Sequence, residues 1–361
     1  MIKPSPTLKL AQRVAEARAR GERAFSFSTP TFTEHANPLV LPQGASLALT
    51  PAAGLPDLRA LVRKHLFGKW SLPESDVIIT AGAKVACFSI LKAVVQLGET
   101  VLIVAPAWPS YEDICVTAGL KPVLLETRFS DSFAIMADLL EAAMQKNRAK
   151  VILLANPGNP SGRMHTADEL AILRHAAETH GAWIILDESF SNITFDVKAW
   201  ASAMMAPYPR LAVVNSFSKN YHLQGLRLGA VMLPASIAAD VTSVHQAIVS
   251  SAPSPSQHLA IAYLNCNGGA AENYQMQRQR AMAFADRLGW QYVPSEGTFY
   301  FFPKLPDIAC FQVQAAERGV YLLTGDCFGT SYSEYVRFCF GKPMEELNAM
   351  METLASLAKA A

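Results

Sequence analysis

Up to about residue 234 the chain is punctuated by short apolar runs: Val77–Thr80, Val101–Ala105, Pro122–Leu125, Val151–Ala155, Trp183–Leu186, Leu211–Asn215 and Leu228–Leu233. They are nearly continuous in apolar residues instead of alternating, the pattern of strands buried on both faces. Longer stretches with helical spacing lie between them, among them Ala83–Gln96, Met136–Lys146 and Ala167–Thr179. Strands alternating with helices predict an α/β fold with a mostly parallel seven-stranded sheet covered on both faces.

Beyond residue 234 the pattern changes. The polar stretch Gln257–Arg287 reads as one long helix, Thr298–Phe302 and Tyr335–Phe340 as short strands, and Met344–Lys359 as a final helix. The expected organisation is a large domain over residues 45–255 and a smaller α+β domain built from residues 1–44 and 256–361. The Pro-containing segment Asn37–Gly44 is the expected connection. Internal repeats and low-complexity segments are absent from the sequence.

Composition narrows the functional classes. The 361 residues include 51% hydrophobic ones, enough for a sizeable core. Lys plus Arg is 31 and Asp plus Glu is 30. That balance speaks against a broad surface for nucleic acid or an anionic membrane, but not against a local pocket for one phosphate. The six cysteines form no CxxC pair and no zinc framework, and read as buried, reduced side chains. The eight histidines show no metal spacing. The N-terminus carries no signal-peptide pattern, and no run of about 18 apolar residues spans a membrane. A cytoplasmic protein is expected.

Ligands of an open α/β sheet bind beyond the carboxyl ends of its strands. Polar and aromatic clusters follow the apolar runs: Thr80-Ala81-Gly82-Ala83-Lys84, Pro106-Ala107-Trp108-Pro109, Asn156-Pro157-Gly158-Asn159-Pro160-Ser161-Gly162, Asp187-Glu188-Ser189-Phe190, and Ser216-Phe217-Ser218-Lys219-Asn220 with Arg227 beyond. Together they suit a flat aromatic cation with a phosphate arm. Gly82 and Ala83 open a helix whose free N–H groups favour phosphate. Ser216 and Ser218 add hydroxyls, and Arg227 a forked charge. Trp108 offers a stacking face. Asp187 closes an apolar run, a costly place for a carboxylate unless a cation faces it. Lys219 has the amine for an imine.

These clusters resemble the class I and II aminotransferases of the pyridoxal 5'-phosphate (PLP) fold type I, especially the aspartate and aromatic aminotransferase branch. The resemblance is carried by Asn159-Pro160-Ser161-Gly162, Asp187-Glu188, Ser216–Asn220, Arg227-Leu228-Gly229, Gly54-Leu55-Pro56-Asp57-Leu58-Arg59 and Tyr335-Val336-Arg337-Phe338. They stand in the family's order over nearly the whole chain. The resemblance implies a PLP Schiff base on Lys219, which would also move the proton between Cα and C4'. Asp187 would pair with the pyridinium nitrogen, Asn159 donate to the phenolic oxygen, and Trp108 stack on the ring. Gly82, Ala83, Lys84, Ser216, Ser218 and Arg227 would hold the phosphate, and Arg337 the substrate α-carboxylate. It further implies a homodimer acting on an amino acid and a 2-oxo acid, with neither nucleic acid nor membrane as partner.

The sequence departs from the family pattern at three positions. Phe190 and Leu49 stand where the family usually has Tyr, and Ser28-Thr29-Pro30 stands where a Gly-x-Pro is usual. Without a phenol at 190 the cofactor's phenolate loses a donor, so the pH midpoint of the bound chromophore should rise. Ser28 is expected to narrow the approach to the substrate carboxylate or to add a hydroxyl contact. His222, three residues after Lys219, is a further candidate to face the pocket. Amino-group transfer is the leading function. Elimination or replacement at Cβ or Cγ, cyclisation or decarboxylation on the same platform is the alternative. A PLP-dependent sensor within a transcription regulator would require a basic DNA-binding region that this sequence lacks.

Overall fold

The seven apolar runs assemble into one sheet. The computed structural model describes residues 4–32, 39–67, 75–195, 205, 208–267 and 273–355. Helix α1 (Pro6–Ala19), strand β1 (Phe25–Ser26) and α2 (Pro56–Leu66) precede the sheet. Its strands are β2 (Ser75–Thr80), β3 (Thr100–Ala105), β4 (Lys121–Glu126), β5 (Val151–Ala155), β6 (Trp183–Asp187), β7 (Leu211–Ser216) and β8 (Gly229–Pro234), in spatial order β2-β8-β7-β6-β5-β3-β4. Helices α3 (Ala83–Val94), α4 (Ser110–Thr117), α5 (Ala137–Asn147) and α6 (Ala167–His180) lie between them. Helix α6 shows how local chemistry sets the boundaries. Thr166 and Glu169 close a capping box at its start, and Gly181, at φ 62°, ends it in the left-handed region.

Successive strand residues point to opposite faces, so a continuous apolar run feeds two cores. Leu102, Ile152, Leu154, Ile184 and Leu186 pack on one face with Leu58, Leu170 and Leu173. Val101, Ile103, Val151, Leu153 and Ile185 pack on the other with Ile90, Leu91 and Tyr111. The strands from β3 to β7 run parallel, whereas β8 runs antiparallel to both β7 and β2. The physical reason is the connection. Between Ser216 and Gly229 the chain makes only the four-residue helix α7 (Phe217–Asn220) and a 3-10 turn (Gln224–Leu226). That is too little for a crossover that would bring β8 back parallel. The chain instead turns back at the carboxyl rim, which keeps everything from Ser216 to Arg227 there.

Helices α8 (Ala235–Val249), α9 (Ser254–Asn267) and α10 (Gln275–Arg287) follow, then β9 (Tyr300–Phe301), α11 (Ile308–Glu317), β10 (Val320–Tyr321), β11 (Phe338–Cys339) and α12 (Met344–Ala355). Strand β1 pairs parallel with β10, and β9 antiparallel with β11. A third core gathers here around Phe27, Phe299, Phe301 and Phe338, with Phe27 and Phe301 rings 4.5 and 4.8 Å from that of Phe338.

Three expectations change. Gln257–Arg287 holds two helices, α9 and α10, instead of one. Packing does not follow the breaks drawn at residues 44 and 255. Ala260, Tyr263 and Leu264 of α9 join the sheet core beside α2, and Leu10 of α1 joins the opposite one. Among the cysteines, Cys87, Cys115 and Cys339 are buried but Cys266 and Cys310 are exposed. Part of the expected Asn37–Gly44 connection and residues 356–359 of the expected final helix lie outside the described residues.

Candidate active site

Sheet register brings the cofactor candidates together. Gly229 at the start of β8 pairs with Ser216 at the end of β7 and with Thr80 at the end of β2. The turn after β2 and the turn after β7 therefore share one rim. Gly82 adopts φ 94° and ψ 160°, a conformation that essentially only glycine takes. A Cβ there would come within 2.8 Å of Arg227 Nη2. A Cβ on Gly229 would strike the Ala83 nitrogen at 2.7 Å, so the bare strand lets α3 begin close to the sheet. The N–H of Gly82 donates to the Thr80 carbonyl at 2.8 Å. Gly82 thus contributes shape, not the phosphate donor that its position suggested. The donors left over are the first-turn N–H groups of α3, beginning at Ala83 and Lys84, which have no acceptor within the helix.

A cavity of about 580 Å³ opens on this rim. Ala83, Lys84, Ser216, Ser218 and Arg227 line one part of it, and Trp108, Asn159, Asp187, Lys219 and Arg337 are also on its wall. Ser216 Oγ caps α7 by accepting the Ser218 N–H at 3.2 Å, and Arg227 Nη1 donates to Ser218 Oγ at 3.4 Å. Lys84 is exposed, and its Nζ lies 5.0 Å from the centre of the Trp108 ring.

Charge is arranged with equal economy. Asp187 is buried; its Oδ2 accepts the Tyr111 hydroxyl at 2.6 Å and its Oδ1 the Ser189 N–H at 2.9 Å, neither donor being a cation. Burial raises its pKa, against the pull of those two hydrogen bonds. Lys219 is lowered to about 8, first by burial and then by the Arg337 and Arg227 charges, with Cys339 opposing. Arg337 is only 2% exposed; Nη1 donates to Asn159 Oδ1 at 3.0 Å and Nη2 to the Ser28 carbonyl at 2.8 Å. Its guanidinium lies 4.3 Å from the Tyr300 ring centre. With its oxygen occupied by Arg337, Asn159 has its amide N–H groups left to give.

Ser28 does not line the cavity. Its hydroxyl is buried, donates to the Arg337 carbonyl at 2.9 Å and accepts the Leu323 N–H at 3.1 Å. The hydroxyl is thus engaged by the backbone and not aimed into the cavity, and the Ser28 carbonyl accepts from Arg337. His222 also stays off the cavity wall. It is hydrogen-bonded to the Tyr274 hydroxyl at 2.8 Å and packs 4.3 Å behind Phe32, which does line the cavity. Phe190 lines it too, edge-on to Phe299 and Tyr300 at 5.3 and 5.8 Å, while Leu49 is 78% exposed. Tyr111, Tyr300, Phe32 and the first turn of α1 (Ser5, Thr7, Leu8) escaped the sequence reading. Tyr111 had one available signal, its place one helical turn after Trp108.

A planar cation with a phosphate arm fits what is present: a buried carboxylate with no cationic partner among the described residues, an amine of lowered pKa, and a turn in which a Cβ at residue 82 would crowd Arg227. Among the described residues, no cluster of His, Cys, Asp and Glu is placed to hold a metal ion, and no helix is long and apolar enough to cross a membrane.

The sequence matches the aminotransferase class I and II family over residues 21–354. It is 31% identical over 319 aligned residues to a probable N-acetyl-LL-diaminopimelate aminotransferase of Bacillus subtilis, covering 84% of this chain and 80% of that protein. To aspartate aminotransferase of Geobacillus stearothermophilus it is 27% identical over 380 aligned positions, covering 98% and 96%. The fold superposes on aspartate aminotransferase of Thermus thermophilus with maleate at a TM-score of 0.87 and 23% identity, covering 99% and 97% of the two chains. The architecture is that of the PLP-dependent transferases of fold type I. The chain belongs to the class I and II aminotransferase family, and its activity is PLP-dependent transfer of an amino group between an amino acid and a 2-oxo acid.

Proposed function

We propose that Lys219 is the anchor and proton carrier of this transfer, that Arg337 grips the α-carboxylate, and that the amino acid carries an uncharged side chain. Bound PLP supplies the electron sink that lets the substrate Cα–H bond break. The observation that carries the reading is the joint placement, on one cavity, of the buried carboxylate Asp187, the amine Lys219 and the guanidinium Arg337. Asp187 holds the ring nitrogen protonated, and Tyr111 keeps that carboxylate ionised. Lys219, lowered to about 8, is partly neutral near neutral pH, so it serves as nucleophile and as base at Cα. Asn159 orients Arg337 and would offer its amide to the phenolic oxygen, and Trp108 would give the ring a stacking face. The α3 turn, Ser216, Ser218 and Arg227 hold the phosphate, with Lys84 beside them.

Among the described residues, the cavity's cations are Lys84, Lys219, Arg227 and Arg337, and its carboxylate is Asp187. In this assignment each has a partner in the cofactor or the α-carboxylate. Leu8, Pro30, Phe32, Phe190 and Tyr300 share the remaining wall with the uncharged polar residues Ser5, Thr7, Thr29, Ser110, Ser189 and Gln224, which supports an uncharged side chain there. The exposed apolar side chains of Val40, Leu47 and Leu49 lie in one stretch and support a homodimer in solution. The free cysteines suit the cytoplasm.

The test is the half-reaction. The loaded enzyme is mixed with single amino acids and no oxo acid, and cofactor absorbance is followed together with products. Stoichiometric conversion to the amine form of the cofactor, fastest with amino acids of uncharged side chain, is expected. Fastest conversion with aspartate or glutamate refutes the uncharged side chain, and released ammonia with an unchanged cofactor refutes transfer.

A further inference from the structure

Ala81 joins the end of β2 to the start of α3, and its N–H is donated to Nε2 of His245 on α8, at 3.2 Å. His245 is fully buried and takes no part in the roles assigned above. A ring nitrogen that accepts an N–H presents its lone pair there, so the proton of the neutral ring is on Nδ1. Nδ1 is buried and makes no full hydrogen bond, while the Ala52 backbone acts on the ring. Ala52 belongs to a segment that is itself tied down. The Ala53 carbonyl accepts the Ile79 N–H at 2.9 Å. Buried Gln257 accepts the Leu55 N–H and donates to Thr50 Oγ1 and the Ala252 carbonyl, each at 2.8 Å.

The turn after β2 is braced from its other sides as well. Thr80 takes the Gly82 N–H with its carbonyl and donates its hydroxyl to the Gly82 carbonyl at 3.2 Å. Gly229, where a Cβ would come within 2.7 Å of the Ala83 nitrogen, lets the turn lie close to β8. The Ala81 peptide is held from outside the turn by His245.

We propose that His245 is a positioning residue for the phosphate cradle: its neutral ring takes the Ala81 N–H and so fixes the peptide that aims the first turn of α3. This rests on the reading of that turn as the phosphate site. A second proton on the ring would set an N–H at Nε2 against the N–H of Ala81, two donors face to face. The cradle therefore requires neutral His245. Burial already holds its pKa below the usual histidine range, and the Ala52 backbone pulls the other way. Among the described residues, the titratable groups on the elements packed against α8 are Asp76 on β2 and Lys84, Cys87 and Lys92 on α3, with Asp240 on its own helix; burial is the largest influence on the ring. Cofactor affinity is thus held above that pKa and lost as pH falls through it.

The experiment titrates the full-length apoenzyme with pyridoxamine 5'-phosphate, which makes no covalent bond to Lys219. His245→Leu removes the acceptor, and Kd at neutral pH rises about tenfold, whereas His245→Gln, whose Oε1 can take the same N–H, stays within about threefold of wild type. As pH falls below about 6.5 the ratio of wild-type Kd to His245→Gln Kd increases, because only the wild type can gain the extra proton. Equal Kd values for all three proteins, or a ratio that does not change with pH, overturn the assignment. Should His245→Leu fail to fold, the pH comparison of wild type with His245→Gln decides alone. A ligand that does not bind wild type at all overturns the phosphate reading, and the role of His245 with it.

Discussion

Replacing Gly82 by alanine separates the two things that this residue does. Its backbone, at φ 94° and ψ 160°, lies where a side chain costs about 2 kcal/mol. The new Cβ also lies 2.8 Å from Arg227 Nη2 and 3.6 Å from Cζ. The guanidinium ends a flexible, exposed side chain and can swing away at little steric cost. Doing so takes Nη1 from Ser218 Oγ, 3.4 Å away, and the charge from the phosphate position. Gly82→Ala should therefore lose about 2 kcal/mol of apoenzyme stability and, separately, about tenfold or more in cofactor affinity, the worth of one charged hydrogen bond. Urea denaturation of the apoenzyme reads the first effect as a lower midpoint at constant slope. Titration with pyridoxamine 5'-phosphate reads the second. Gly21→Ala is the control, since Gly21 has φ 78° but nothing within 4 Å of a Cβ; it should cost only about 1 kcal/mol and leave affinity unchanged. A Gly82→Ala protein as stable as wild type would refute the backbone conformation. Lost stability with intact affinity would refute the placement of Arg227 at the phosphate.

Two further outcomes follow from the charges. Tyr111→Phe removes the donor 2.6 Å from Asp187 Oδ2, so the buried carboxylate rises further above the ordinary aspartate range; cofactor Kd should increase about tenfold, and an unchanged Kd would refute the role of Tyr111. Lys219, lowered to about 8, gains its nucleophilic neutral form as pH rises through that value. The rate of covalent PLP uptake by the apoenzyme should level off above it, and a rate still climbing toward the ordinary lysine pKa of about 10.4 would count against the burial argument.

Much of this protein follows from its sequence alone. The strands were legible because burial on both faces leaves an apolar signature that no neighbour has to supply. Lys219, Asp187, Asn159 and Arg227 were legible because strand ends in a parallel sheet share one rim, so short motifs at those ends meet whatever the rest of the chain does. Direction was not legible in the same way. An apolar run is the same read either way, and the reversal of β8 showed only in the shortness of the Phe217–Leu228 connection.

Tertiary structure alone decided where hydrogen bonds are consumed. Ser28 and Gly82 offered a hydroxyl and an N–H to the ligands on paper, but Arg337, Leu323 and Thr80 occupy them. Tyr111 reaches Asp187 across 76 residues, and His245 reaches Ala81 across 164. The residue types at those positions are compatible with ordinary core packing, and periodicity reports which face a side chain takes, not which distant atom it meets. Sequence singled out Lys219 as the expected cofactor anchor; folding determined which of its neighbours remain free to act.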